Sequence, residues 1–192
     1  MKLYLASTSK MKSDILNKVC LNHSCLSIEK EEISNATNPA EYTMELARNK
    51  AYEASRKVET GIIIGLDTIV YRDGLIIEKP KSIEDARNNL SKSQNKTVQV
   101  ITGISIIDIE KEKVITDHAI SKVTLKEIDE IDIDYYMKSE KYVMHASGFV
   151  LENTASCFLD KIEGSFYNVL GCPVETIYYN LKKLGYHLED FE

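Results

Sequence analysis

Near the start of the chain, LASTSKMK sets Ser7, Thr8 and Ser9 beside Lys10 and Lys12, between an apolar run and a stretch with helical spacing. A strand-to-helix turn needs one capping hydroxyl. Three small residues with lysines behind them also suit an anion, because hydroxyls, free backbone N–H groups and ammonium groups meet at a helix N-terminus. A capped helix and an anion site both fit these residues. Asp67 lies inside GIIIGLDTIVY, an otherwise apolar run. A carboxylate there is costly unless it is ion-paired or bound to a cation, and the local structural uses of Asp favour turns and caps. Lys50 falls at helical spacing beside Leu46, Ala47, Ala51 and Ala54, where it either snorkels to solvent or carries charge to a site. Lys79 sits in EKP, a loop anchored by Pro80, and can serve phosphate as a compact point charge. EGSFYNVLGCP reads as a structured loop, beside a pocket or packed for its own sake.

These residues need elements to position them. Residues 2–6 read as a strand and 9–20 as a helix. Residues 39–57 read as a second helix, with Asn38 as cap, Pro39 at its first position and Glu41 closing a capping box. GIIIGLDTIVY reads as a buried strand that turns at RDG into LII. Ser82, with Asp85 three residues on, opens a helix to about residue 92. TVQVITGISIIDI and KVITDHAISKVTL read as strands joined by the charged turn EKEK. Residues 127–138 read as a helix, and SGFVLE and SCFLDKI as short strands. In residues 174–184, Val174, Ile177, Tyr178, Leu181 and Leu184 form one helical stripe ended by Gly185. Strands, helices and hairpins in this order imply an α/β fold with a mixed sheet.

The totals narrow the function. The 192 residues suffice for one domain with a substantial core. A net charge of −6 gives no support for binding nucleic acid or an anionic membrane, though it allows a local basic site. No apolar stretch approaches a membrane span, and the start lacks a signal-peptide layout, so the expected location is the cytoplasm. Cys20, Cys25, Cys157 and Cys172 show neither a CxxC pair nor zinc spacing, which reads as reduced structural thiols.

Taken together, the segments resemble the Maf family of nucleoside triphosphate pyrophosphatases, also called septum formation inhibitor proteins. LASTSKMKSDIL resembles the family's LASxSPRRxxLL, LARNKA its LAxxKA, and GLDTIVYRDGLIIEKP its ADTVVxxxGxIxGKP. VQVITGISI resembles VxTGv, IEGSFYNVLGCPV resembles IxGsYYNVvGLPl, and the pair Glu31–Glu32 matches an acidic pair before the helix. The resemblance implies one domain over residues 1–192, an elongated mixed β-sheet flanked by helices, and two lobes with a central cleft, as in inosine triphosphate pyrophosphatases. It implies hydrolysis of a nucleoside triphosphate to monophosphate and pyrophosphate with a divalent cation, Mg²⁺ or Mn²⁺. On that pattern Asp67 is the general base and, with Glu32, a metal ligand. Lys50 and Lys79 neutralise the triphosphate. Ser7, Thr8, Ser9 and Lys12 hold phosphate. Met11, Thr68 and Glu152 set substrate specificity. The resemblance allows a homodimer, which no sequence feature demands.

Three positions depart from the family's commoner dTTP/UTP form. Met11 stands for Arg, Val98 for His, and Glu152 for Gln. ASGFVLE, ending in Glu152, resembles a second branch that acts on 7-methyl-GTP, whereas Thr68 and SFYNVLG resemble the first. A carboxylate accepts both N1–H and N2–H of guanine and favours the positive charge of a methylated one. The sequence reading therefore expects a modified purine such as 7-methyl-GTP. The alternatives are a dTTP/UTP pyrophosphatase, an inosine or xanthosine triphosphate pyrophosphatase, and a catalytically silent nucleotide-binding regulator of cell division.

Overall fold

A computed structural model describes residues 1–29, 34–139, 143–144 and 147–192. The strands are β1 (Leu3–Leu5), β2 (Ser24–Cys25), β3 (Ile62–Arg72), β4 (Leu75–Ile77), β5 (Thr97–Asp108), β6 (Lys113–Leu125) and β7 (Leu159–Glu163). The helices are α1 (Lys10–Lys18), α2 (Pro39–Ser55), α3 (Ile83–Ser91), α4 (Glu130–Ser139), α5 (Phe166–Val169) and α6 (Val174–Lys183). The seven strands form one mixed sheet in the order β2-β1-β3-β5-β6-β7, with β4 also on β3. β1 runs parallel to both β2 and β3, and the β3–β4 and β6–β7 pairs are antiparallel. This is the mixed α/β fold that the alternating elements imply.

The chain divides into two compact units. Unit 1 comprises Met1–Thr68, Thr102–Ala119 and Gly171–Glu192, and unit 2 comprises Ile69–Ile101 and Ile120–Leu170. In unit 1, Ala6, Ala51, Ala54, Ile63 and Ile107 form a buried cluster beneath Tyr4, Leu26 and Val58. Alanines dominate the α2 side of it because the helix lies directly on backbone. A Cβ at Gly65 of β3 would stand 2.1 Å from the Ala47 carbonyl oxygen, and one at Gly103 of β5 would stand 2.1 Å from that of Thr43. Only glycine permits that approach. In unit 2, Leu90, Val98, Val123, Leu125, Ile133, Tyr136 and Phe149 are among the members of one buried cluster.

The helix signals act largely as their chemistry dictates. Asn38 accepts from the amides of Ala40 and Glu41, with Pro39 at the first helical position. Ser82 Oγ accepts from the Asp85 amide at 3.0 Å, but the Asp85 carboxylate takes the amide of Lys81, one residue earlier than a capping box requires. Two expected strands differ. SGFVLE is not a strand: Phe149, Val150 and Leu151 are all buried, without the alternation of a strand. The Val150 amide donates to Tyr136 Oη at 3.1 Å rather than to a neighbouring strand. In SCFLDKI the first residues belong to a 3₁₀ turn, Thr154–Phe158, and the strand starts at Leu159. Strand β2 escapes the sequence reading because it has two exposed residues and no periodicity.

Candidate active site

The β1–β3 register brings the start of the chain to Asp67. Leu5 pairs with Ile64, and the Ala6 amide donates to the Ile64 carbonyl at 2.8 Å, so Ser7–Ser9 leave the sheet beside Leu66 and Asp67. Helix α1 then begins with Ser9 in the N-cap position, but no side chain caps it. Ser7 Oγ instead accepts from the Ser9 amide at 3.1 Å. The first turn contains no acidic residue and does contain Lys10 and Lys12. Cations there oppose the helix dipole, so the local field favours an added anion. The capped-helix reading of STS is thus corrected: the Ser7 hydroxyl ties the turn, and no side chain caps the helix.

Helix α2 delivers Lys50. Because α2 rests on Gly65, Lys50 Nζ reaches Asp67 Oδ1 at 2.7 Å and the Leu66 carbonyl oxygen at 3.4 Å. Lys12 Nζ reaches the same carbonyl, also at 3.4 Å. Two ammonium groups therefore converge on one neutral acceptor and one carboxylate. Lys50 and Asp67 side chains are 17% and 14% exposed, open enough to meet a solute and dry enough for charge to count. The inward placement of Lys50 and the pairing of Asp67 are the arrangement their burial costs require.

Thr68 continues the site. Its Oγ1 lies 3.0 Å from Thr102 Oγ1 and 3.5 Å from the Gly171 carbonyl oxygen. Thr68, Thr102 and Gly171 are each the end residue of a unit 1 segment. Next to Gly171, the Cys172 thiol is fully buried against the Lys12 carbonyl oxygen at 3.8 Å. Burial pushes this thiol up to about 12, against the pull of nearby Lys12 and with a further push from Glu175. It is an inert packing group. The Leu66 carbonyl, Thr102 and Cys172 lie outside the sequence-derived site. A carbonyl has no residue type to betray it, and the other two stand far along the chain.

Thr8 is exposed and Met11 half-buried, both in unit 1. Lys79 is exposed in the loop between β4 and α3, beside buried Pro80, in unit 2. Glu152 is exposed on a turn of unit 2. Glu31 and Glu32 lie outside the described residues. Among the described residues no three His, Cys, Asp or Glu side chains form a metal-holding group. In EGSFYNVLGCP, Asn168 is fully buried in unit 2, with Nδ2 donating to the Val100 carbonyl and to Ser121 Oγ at 3.0 Å each. It anchors the loop rather than facing solvent.

The family model described as Maf-like protein matches residues 2–184. The chain belongs to the Maf family. Among relatives of this Maf protein, one from Clostridium tetani, named dTTP/UTP pyrophosphatase, is 32% identical over 98% of this chain and 100% of its own length. Relatives of the same name from Caldanaerobacter subterraneus and Lachnoclostridium phytofermentans are each 33% identical, over 95% and 97% of this chain and 89% and 97% of their own lengths. The solved structure of the Staphylococcus aureus Ham1 protein matches this Maf chain with a TM-score of 0.54 at 12% identity, covering 96% of this chain and 100% of that one. That likeness establishes the fold. Among the described residues, no helix of the Maf chain is long and apolar enough to cross a membrane.

Proposed function

We propose that this Maf protein hydrolyses dTTP and UTP to the nucleoside monophosphate and pyrophosphate. It is a nucleoside triphosphate pyrophosphatase, and residues 1–192 are read as one domain of that activity. The observation that carries the chemistry is the convergence of Lys12 and Lys50 on Leu66 and Asp67. A triphosphate needs fixed cations, and displacement at phosphorus is mostly positioning and charge stabilisation. The substrate choice rests on relatives named dTTP/UTP pyrophosphatase that match nearly the whole chain. The expected preference for 7-methyl-GTP drew on Glu152, and those names give it no support. The dTTP/UTP alternative, indicated by Thr68 and SFYNVLG, replaces it. An amide-like set of donors and acceptors suits the uracil edge better than a carboxylate does, so Glu152 is no longer assigned the reading of a purine.

In this reading a water adds across the α–β anhydride. Its oxygen bonds to phosphorus, the bridging P–O bond breaks, and pyrophosphate leaves. Asp67 accepts the water's proton, with Lys50 on Oδ1 fixing the carboxylate's orientation. Ser7, the N–H groups near Thr8 and Ser9, and Lys12 hold phosphate oxygens at the uncapped start of α1. Lys50 offsets the charge of the triphosphate. Lys79 as a further cation, Met11 and Thr68 as specificity residues, and Glu32 as a metal ligand follow from the family pattern. A divalent metal would polarise the phosphate oxygens. Asp67 supplies a hard oxygen suited to it, and Mg²⁺ commonly binds through one or two carboxylates plus substrate phosphates, so no larger protein cage is needed.

The test is pyrophosphate release from UTP, dTTP, CTP, GTP, 7-methyl-GTP and ITP, with Mg²⁺ or Mn²⁺ and with chelator. UTP and dTTP should turn over fastest, and chelator should stop them. Faster turnover of 7-methyl-GTP would restore the purine reading. Binding without turnover of any nucleotide would overturn the enzymatic one.

A further inference from the structure

Thr68 does not set its own hydrogen-bond polarity. Thr102 is fully buried, whereas Thr68 is half-buried. The Thr102 hydroxyl has one hydrogen-bond partner among the described residues, Thr68 Oγ1 at 3.0 Å. A buried hydroxyl has to place its proton on an acceptor. Thr102 therefore donates and Thr68 accepts, which leaves the Thr68 proton to point elsewhere. The acceptor it meets is the Gly171 carbonyl oxygen at 3.5 Å, the outer limit of a hydrogen bond and readily exchanged for a closer oxygen. The space beside Thr68 is kept open by Gly171, whose φ is +77°. A Cβ there would stand 3.0 Å from Thr68 Oγ1 and 3.4 Å from Lys12 Cε.

We infer that Thr102 is a positioning residue that fixes Thr68 as an outward hydrogen-bond donor, so that the site selects a carbonyl over an amino group at C4 of a pyrimidine. The inference rests on the dTTP/UTP reading and on Thr68 meeting the base. Uracil and thymine present an acceptor at C4, and cytosine presents a donor. A donor locked against a donor leaves both unpaired, which is the strong form of discrimination open to a binding site. Without Thr102 the Thr68 hydroxyl can rotate and accept from the cytosine amino group instead.

The experiment measures KM and kcat for UTP and dTTP and the inhibition of UTP hydrolysis by CTP, in the wild type, Thr102→Val, Thr102→Ser and Thr68→Val. The ratio of the CTP inhibition constant to the UTP KM should fall roughly 3- to 10-fold in Thr102→Val, the worth of one net hydrogen bond, with the change in KM rather than kcat. Thr102→Ser keeps the hydroxyl and should restore the ratio, and Thr68→Val/Thr102→Val should discriminate no worse than Thr68→Val. Melting curves establish that each variant is folded, and Thr102→Ala is read in the same way if the valine variant is not. An unchanged ratio in a folded hydroxyl-free variant overturns the positioning role, as does a serine variant that behaves like valine. If the ratio falls in Thr68→Val alone, Thr68 reads the base without Thr102. Failure of the wild type to hydrolyse either UTP or dTTP removes the dTTP/UTP reading and this inference with it.

Discussion

Unit 2 and unit 1 both hold a cation against backbone, and they do so in different ways. In unit 2, Arg72 is 9% exposed, and its guanidinium donates to the Asn89 carbonyl at 3.0 Å and to Ser93 Oγ at 2.7 Å. Ser93 Oγ passes its own proton to the same carbonyl at 2.7 Å. Burial lowers the arginine below its usual value, against the pull of Asp73. The group is surrounded by its own protein partners and ties the end of β3 to the last turn of α3 and the residues just after it. In unit 1, Lys12 and Lys50 share the Leu66 carbonyl, and Lys50 alone also meets Asp67. Lys50 and Asp67 keep 17% and 14% of their side-chain surface open, so these charges stand where a solute can meet them. Burial of charge is thus a poor guide to function by itself, and the access that a solute has to the charge is a better one.

The sharpest way to break this contrast is Asp67→Asn. It should keep the fold, with some loss of melting temperature because Lys50 loses its carboxylate partner at 2.7 Å, while lowering kcat by about 10²–10⁴-fold, the usual worth of a general base. Near-normal turnover would remove Asp67 from the chemistry. Arg72→Met in unit 2 should do the reverse. Urea unfolding should show a loss of about 2–3 kcal/mol, because Asn89 and Ser93 lose a charged donor, with turnover per folded molecule retained. A comparable loss of kcat would mean that unit 2's cation is not merely structural.

Unit 1 also contains a purely structural group, Cys172, whose signature is pH. The thiol is held neutral in the folded chain up to about 12, whereas its ordinary value is 9.0. Its contribution is fully present below pH 9. Above that the unfolded chain releases the proton and the folded chain does not, so stability should fall by about 1.4 kcal/mol per pH unit until the folded thiol ionises. Urea melts at pH 8, 9 and 10 should show this slope in the wild type and lose that share of it in Cys172→Ala. A thiol reagent at neutral pH should label Cys20, Cys25 and Cys157, all exposed, and reach Cys172 only on unfolding. The smallest effect is expected from Lys12→Gln, which removes one phosphate-facing charge but leaves Lys50. KM for UTP should rise roughly 3- to 10-fold, and the rise should shrink with added salt. An effect on kcat larger than on KM would move Lys12 from binding to chemistry.

Much of this was legible because local physics repeats a short pattern. Asn38–Pro39 and Ser82 start helices by satisfying amides within three residues. The isoleucines of β3 and β5 signal burial, and an aspartate among them signals a partner. Residue types alone also pointed to Ser7, Lys12, Lys50 and Asp67 as charge-handling groups. SGFVLE misled because apolar residues in a row fit a strand or a buried segment equally well, and Tyr136 decided between them from fourteen residues away.

The sequence by itself determined the family and most of the elements, and it marked residues whose types suit phosphate, since each depends on neighbours along the chain. Only the tertiary structure decided who meets whom. Lys50 reaches Asp67 because Gly65 lets α2 lie on β3. Lys12 reaches Leu66 across 54 positions. Thr68 takes its polarity from Thr102, 34 positions on, and meets Gly171, 103 positions on. These contacts follow from sheet register and backbone approach, which side-chain identity constrains only after the chain has folded.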